Sequence, residues 1–438
     1  MIVAPIVVGP LLMCLRQPMR IALPAYAVLV PFGGLLSIGA SRFGSLSSLI
    51  GIVLGIGLVL QLVSGRRLEV PLSATVPIWL LFLAVAGATV LWSLTPAKTV
   101  NGFVVLGSLV FVYVLVALSH VDRAILTRTE NGLLLGGVLA TGYGLTQLFF
   151  LGGFPNDVPG LPPGPGGRFG NDLLGPNNEA VALLLPLLVS LSRSVTRGER
   201  SKRTFHAFVS ALLLLGILMT GSRGGILAAV VAVTVLALSN REGRVKLFAY
   251  AGVGITVAAA VLFLHPAGLA ERQVQTTSSS GRTDIWRVGL AACPQYCPIG
   301  SGWETFPDVY AATQPSVPDA AVLVGKGGSY QPHNVWMLVA IELGIPGLIL
   351  LGAVMWLTLV EALKLPAALR GPPLGGLLGT YFAAMFLSNL EFKFFWMALI
   401  MVALSRNLSV LEAPTPVGRG PVAEPRFFTP RGEIGQRP

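Results

Sequence analysis

Apolar residues run along this chain in blocks long enough to cross a bilayer, parted by short polar connections. Twelve blocks are predicted as helices: 21–39, 47–63, 70–93, 101–118, 131–151, 178–192, 205–221, 224–239, 247–265, 334–355, 372–388 and 392–405. A spanning helix needs about 20 mostly apolar residues, and the blocks cluster near that length. Residues 1–15 form a shorter apolar run holding Pro5 and Pro10. That run reads as interfacial or re-entrant, or as a thirteenth span. The predicted fold class is an all-α polytopic membrane protein with about twelve transmembrane helices.

Composition agrees with the pattern. The 438 residues are 53% hydrophobic and only 11% charged, far from the balance of a soluble domain. A net charge of +11 raises the question of nucleic acid, and its distribution answers it. Alternate connections separate into two sets, one with 21 Lys and Arg against nine Asp and Glu, the other with nine against ten. The basic set includes Arg16, Arg66, Arg123, the run 193–203, Lys364 and the tail. The positive-inside rule places it in the cytoplasm with both termini, so the charge is a topology signal and no nucleic-acid partner is expected. Run 193–203 reads as a solvated loop in reach of anionic membrane lipid. The first apolar run lacks the basic flank and cleavage site of a signal peptide. Cys14, Cys293 and Cys297 are too few for a disulfide scaffold.

Four segments follow: N-terminal spans over 1–265 with a short outer loop at 152–177, a large outer loop at 266–333, C-terminal spans over 334–405, and a Pro-, Gly- and Arg-rich cytoplasmic tail over 406–438 that is expected to be disordered. The large loop is long for a structureless connection, so short helices are expected in it. The stretch 283–292 is one, with Thr283 or Asp284 near its N-cap.

The outer boundary gathers Arg168, Asn177, Ser222, Arg223, Arg282, Asp284, His333 and Asn334. Arg223 lies in the turn "TGSRGG" (220–225), after which a span starts with its N-terminus outward; another such span starts beside His333. Helix N-termini carry partial positive charge and free N–H donors, and guanidinium forks match phosphate oxygens. Together they suit a diphosphate, with His333 as the one group near neutral pH. Taken singly, each has a plainer reading: an interfacial arginine as a snorkelling anchor, a boundary histidine as a solvated one, "SRGG" as a good turn. Glu342 reads first as a packing or hydrogen-bonding residue. Cys293 and Cys297 have a spacing that permits a disulfide on the oxidising side. No Asp-x-Asp pair stands on the outer face and no histidine or cysteine completes a zinc set, so no metal and no cofactor are expected.

The ordered succession "GGRFGNDLLGPNNEA" (166–180), "TGSRGG" (220–225), "GRTDIWRVGL…CPIGSGWETF" (281–306) and "HNVWMLVAIELGIPG" (333–347) resembles the bacterial O-antigen ligase and polymerase superfamily, over about residues 160–400. The resemblance implies a GT-C-like glycosyltransferase architecture in the bacterial inner membrane, with the active site at the periplasmic face and the large loop between late helices. It implies a glycan donor on undecaprenyl diphosphate and, for a ligase, the lipid A-core oligosaccharide as acceptor. Arg223, Arg282 and His333 match the positions the family relies on for catalysis. Arg168, Asn177, Ser222 and Asn334 fall beside them as substrate-binding candidates. A short chain with one dominant outer loop favours the ligase, metal-independent and inverting, over an O-antigen polymerase or a protein O-oligosaccharyltransferase. A lipid-linked glycan transporter is the rival from another class. Its binding groups would sit near the midplane, where this sequence has almost none.

Overall fold

A computed structural model of the protein describes residues 3–33, 45–64, 70–155, 167–170, 172–196, 198–240, 242–250, 252, 282–318, 320 and 330–413. Those residues are all-helical, and the protein is a polytopic α-helical membrane protein. Seven helices are long and apolar enough to cross a bilayer: Leu46–Val63, Pro96–Ala117, Arg123–Phe150, Pro176–Val195, Arg200–Met219, Gly344–Lys364 and Lys393–Leu411. Thr75–Leu91 and Arg223–Ser239 are shorter apolar helices, joined by Ala367–Ala383. The expected span 247–265 lies largely outside the described residues, as does the tail from 414.

Three expected spans differ in form. Block 21–39 is described to residue 33, where it is a π-turn Pro18–Ala22, a helix Leu23–Val28 and a 3₁₀ turn Val30–Phe32. Pro18, Pro24 and Pro31 lack the N–H that a continuous ladder needs. Run 1–15 is a helix, Val3–Arg16. Block 334–355 is two helices, Val335–Glu342 and Gly344–Lys364. Pro346 has no N–H for the Glu342 carbonyl, and Gly344 sits at φ +68, a conformation glycine adopts without a Cβ penalty. Pro176–Val195 also pauses at Leu183, where Pro186 has no N–H for the Ala182 carbonyl.

Without water between them, membrane helices associate through close backbone approach at small residues. Helix Ala367–Ala383 shows this against Arg223–Ser239. A Cβ built on Gly375 would stand 2.8 Å from the Ala232 carbonyl, and one on Gly379 would stand 2.9 Å from the Ala232 Cβ. Large apolar side chains such as Leu60, Phe150, Phe208 and Trp356 point outward, which is proper only where lipid is the solvent.

Polar contacts sort into two ends. Arg20 pairs with Asp122, Arg123 with Glu412, Arg193 with Glu130 and Arg406 with Glu361. At the other end, Lys98 pairs with Asp308 and Lys393 donates to Ser47. Every one of these joins segments that the charge pattern assigns to the same side.

A lobe at this second end holds two helices from the stretch expected as a large loop, Arg282–Tyr296 and Phe306–Thr313, with Cys293 and Cys297 disulfide-bonded. Thr283 and Asp284 lie in the first turn of the former, near its start. The lobe is plugged into the bundle by Trp303, which is 0% exposed and meets Phe82 edge-on with ring centroids 6.3 Å apart. Around it, Leu94 N–H donates to the Ser301 carbonyl, Trp303 N–H to Thr89 Oγ1, and Thr99 Oγ1 to the Trp303 carbonyl.

The lobe also grips the broken helix. Ser301 and Gly302 N–H groups donate to the carbonyls of Ile341 and Glu342, and Ile345 N–H donates to the Cys297 carbonyl. The Glu342 carboxylate accepts the N–H groups of Glu304 and Phe306, both at 2.9 Å. Helix-end carbonyls need partners, and here the lobe supplies them.

Candidate functional site

Arg223 opens its helix, and Ser222 caps it: Ser222 Oγ accepts the Gly225 N–H at 3.1 Å. A Cβ on Gly225 would lie 2.3 Å from the Ala180 Cβ, so the turn is pinned to the helix that starts at Pro176. Arg223 is exposed while Ser222 is buried. The guanidinium of Arg168 reaches this turn from the short outer loop. Its Nε donates to the Thr220 carbonyl at 2.9 Å and its Nη2 to Asn177 Oδ1 at 3.3 Å. The structure therefore brings Arg168, Asn177, Ser222 and Arg223 together in one corner.

His333 sits in a second corner. Asn334 caps the helix Val335–Glu342, its Oδ1 accepting the Met337 N–H at 3.0 Å. His333 itself adopts φ +47, a left-handed conformation that costs an L-residue about 1–2 kcal/mol. The chain is held on both sides of it. Before it, the Trp286 indole donates to the Pro332 carbonyl at 2.7 Å; after it, Val335 N–H donates to the Ala384 carbonyl at 2.9 Å. Trp286 lies one turn beyond Arg282 on the same helix, so Arg282 and His333 share a frame. Burial, and then the charge of Arg282, push the His333 imidazole down to about 4. Burial also lowers Arg282. An imidazole held this low is neutral at neutral pH and has a lone pair to accept a proton.

One turn joins the corners. Asn334 Nδ2 donates to the Met385 carbonyl at 3.1 Å, and a Cβ on Gly224 would lie 3.8 Å from the Phe386 Cβ. The stretch 384–386 thus touches the Arg223 helix start on one side and the His333 helix start on the other. Ser222 and Asn334 spend their side-chain oxygens on caps, and what they leave toward a ligand is the N–H end of each helix. The resulting boundary carries three arginines, two helix N-termini and one neutral histidine, a set able to hold an oxyanion and accept a proton.

Sequence reasoning missed Trp286 and the 384–386 turn. The first had a signal, an indole four residues after Arg282 in "GRTDIWRV". The second acts through backbone carbonyls, which leave no mark in a sequence. Among the described residues, no three of His, Cys, Asp and Glu gather as a metal set.

Compared with known proteins, residues 208–352 match a family whose description is O-antigen ligase. That segment holds Ser222, Arg223, Arg282, His333 and Asn334. No curated protein matches the chain.

Proposed function

From the match of residues 208–352 to the O-antigen ligase family, we propose that this chain moves a glycan from undecaprenyl diphosphate to the lipid A-core oligosaccharide. The work is done at the outer, periplasmic face of the inner membrane, on a GT-C-like bundle of about twelve spans. The observation that carries the reading is the neutral His333 beside Arg282, joined through one turn to the start of the Arg223 helix.

In the reaction, an acceptor hydroxyl gives its proton to the free imidazole nitrogen of His333 as its oxygen attacks the anomeric carbon. The bond from that carbon to the diphosphate oxygen breaks, and undecaprenyl diphosphate leaves with the electron pair. Attack opposite the leaving group inverts the anomeric centre. Fixed cations and N–H dipoles aimed at the leaving oxygens lower the barrier. Arg223 and Arg282 supply the charge, with Arg168 and Asn177 holding the turn from behind. No metal or cofactor is required among the reacting atoms. The low pKa of His333 supports the base role over that of a cationic diphosphate ligand. The scarcity of charge inside the spans speaks against a transporter.

The test is transfer by purified protein given undecaprenyl diphosphate-linked O-antigen and rough lipopolysaccharide. Wild type is expected to modify the lipid A core, and His333→Ala, Arg223→Ala and Arg282→Ala are expected to lose at least 100-fold in kcat/KM. Elongation of the lipid-linked glycan instead would make the chain a polymerase, and modification of Ser or Thr in a protein would make it an O-oligosaccharyltransferase. Donor binding without product in any arm would refute transfer.

A further inference from the structure

Beneath the short outer loop lies a carboxylate that the proposed transfer does not use. Glu179 is 0% exposed, and neither Oε1 nor Oε2 has a hydrogen-bond partner. Buried polar atoms nearly always have one, and an unpaired buried carboxylate is among the costliest groups a fold can hold. Protonation does not resolve this, because a carboxylic acid also needs an acceptor for its O–H.

The surroundings are oxygens. Gly170, at φ +95, passes directly over Glu179; a Cβ there would stand 2.7 Å from the Glu179 Cβ. Two residues on, Asp172 is close enough for its charge to act on Glu179. Its Oδ2 accepts from Gln147 Nε2 at 2.8 Å and from the Tyr143 hydroxyl, while Oδ1 has no partner. Gln147, 2% exposed, leaves Oε1 unpartnered on the amide already bonded to Asp172. Asn178 Oδ1, next along the helix from Glu179, is unpartnered too. Every one of these open atoms is an acceptor, and among the described residues neither carboxylate has a Lys or Arg partner.

We propose that Glu179, Asp172 and Gln147 form a binding site for a hard, oxygen-ligated cation that fastens Gly170 and Asp172 onto the helix ends. Calcium takes six to eight oxygens in flexible geometry, often with carboxylates and side-chain amides among them. Two carboxylates with no cationic partner among the described residues favour a divalent ion over sodium. The bound ion would fix the chain that carries Arg168 and leads into the helix holding Asn177, and it takes no part in the proposed transfer. The inference does not rest on that transfer, and its test reads no activity.

The protein in detergent is stripped with EDTA, exchanged into choline buffer free of sodium, and titrated separately with CaCl2, MgCl2 and NaCl. The thermal unfolding midpoint is followed, and bound metal is counted by mass spectrometry after gel filtration. The expected result is one retained equivalent of a single ion and a saturable rise of several degrees in wild type. Glu179→Gln and Asp172→Asn, at unchanged elution volume, should lose both. The arm that responds identifies the charge of the ion. No retained ion and no saturable rise in wild type would overturn the proposal, whatever the variants do. An equal rise in Glu179→Gln would overturn it as well.

Discussion

Replacing Glu342 by Ala removes the clamp between the lobe and the helix that begins beside His333. The carboxylate accepts two backbone N–H groups at 2.9 Å, from Glu304 and Phe306, and the residue is 1% exposed. The Phe306 donor is buried, so water cannot take it over. A buried donor left without its acceptor costs about 1–3 kcal/mol. Two such donors give an expected loss of roughly 2–6 kcal/mol. Glu342→Gln keeps one acceptor oxygen and turns an N–H2 toward the second donor, so its loss should fall between wild type and Ala. The assay is equilibrium unfolding in mixed SDS micelles, followed by tryptophan fluorescence, since Trp303 lies at this contact. A change of less than about 1 kcal/mol in Glu342→Ala would mean that the four backbone bonds at 297–302 hold the lobe alone, and the clamp argument would fail.

Other outcomes follow from the same geometry. Because His333 titrates at about 4, kcat/KM should stay flat from pH 8 to about pH 5 and fall below that as the base takes its proton. Arg282→Gln should raise the midpoint toward the ordinary histidine value; a wild-type midpoint near 6.5 would contradict the burial described. The sign for stability is the same: the unfolded imidazole binds a proton that the folded one refuses, so this contribution is present above pH 6.5 and is lost as pH falls toward 4. Trp286→Phe leaves the buried Pro332 carbonyl without its donor, a cost of about 1–3 kcal/mol, and should lower kcat about tenfold while shifting the pH midpoint, which a purely structural role would not do. Gly375→Val drives side-chain carbons into the Ala232 carbonyl and should destabilise by at least about 1–3 kcal/mol. Gly352→Ala is the control in the same assay, since a Cβ there meets nothing nearer than Trp336 Cζ3 at 4.0 Å, and the exchange should be neutral or stabilising.

Much of this was legible in the order of residues. Long apolar blocks mark the helices because lipid leaves no alternative way to satisfy a spanning backbone, and the arginine bias foretold which segments would pair. The capping oxygens of Ser222 and Asn334 were visible as residue types, though their task was read as ligand contact. The break after Glu342 was written in "ELGIPG", where Gly344 and Pro346 outweigh continuous hydropathy. The contact of Arg168 with Thr220 was not legible, because it joins loops 52 residues apart through a carbonyl that any residue would offer. The meeting of both corners at 384–386 was hidden for the same reason. Glu179 was quoted within a motif, yet nothing in its spacing shows that burial strips it of partners.

The break at Leu343–Gly344 has a mechanical meaning. Val335–Glu342 is bonded to the lobe and, through Asn334 and Val335, to the 384–386 turn, while Gly344–Lys364 is a separate rod that the lobe holds at its first turn, where Ile345 N–H donates to the Cys297 carbonyl. A change in bilayer thickness that tilts this rod pivots it about that first turn, at Gly344 and Ile345, and His333 stays with the lobe. The His333 corner is thereby insulated from the lipid it stands in, and the protein should tolerate membranes of different depth without retuning its histidine.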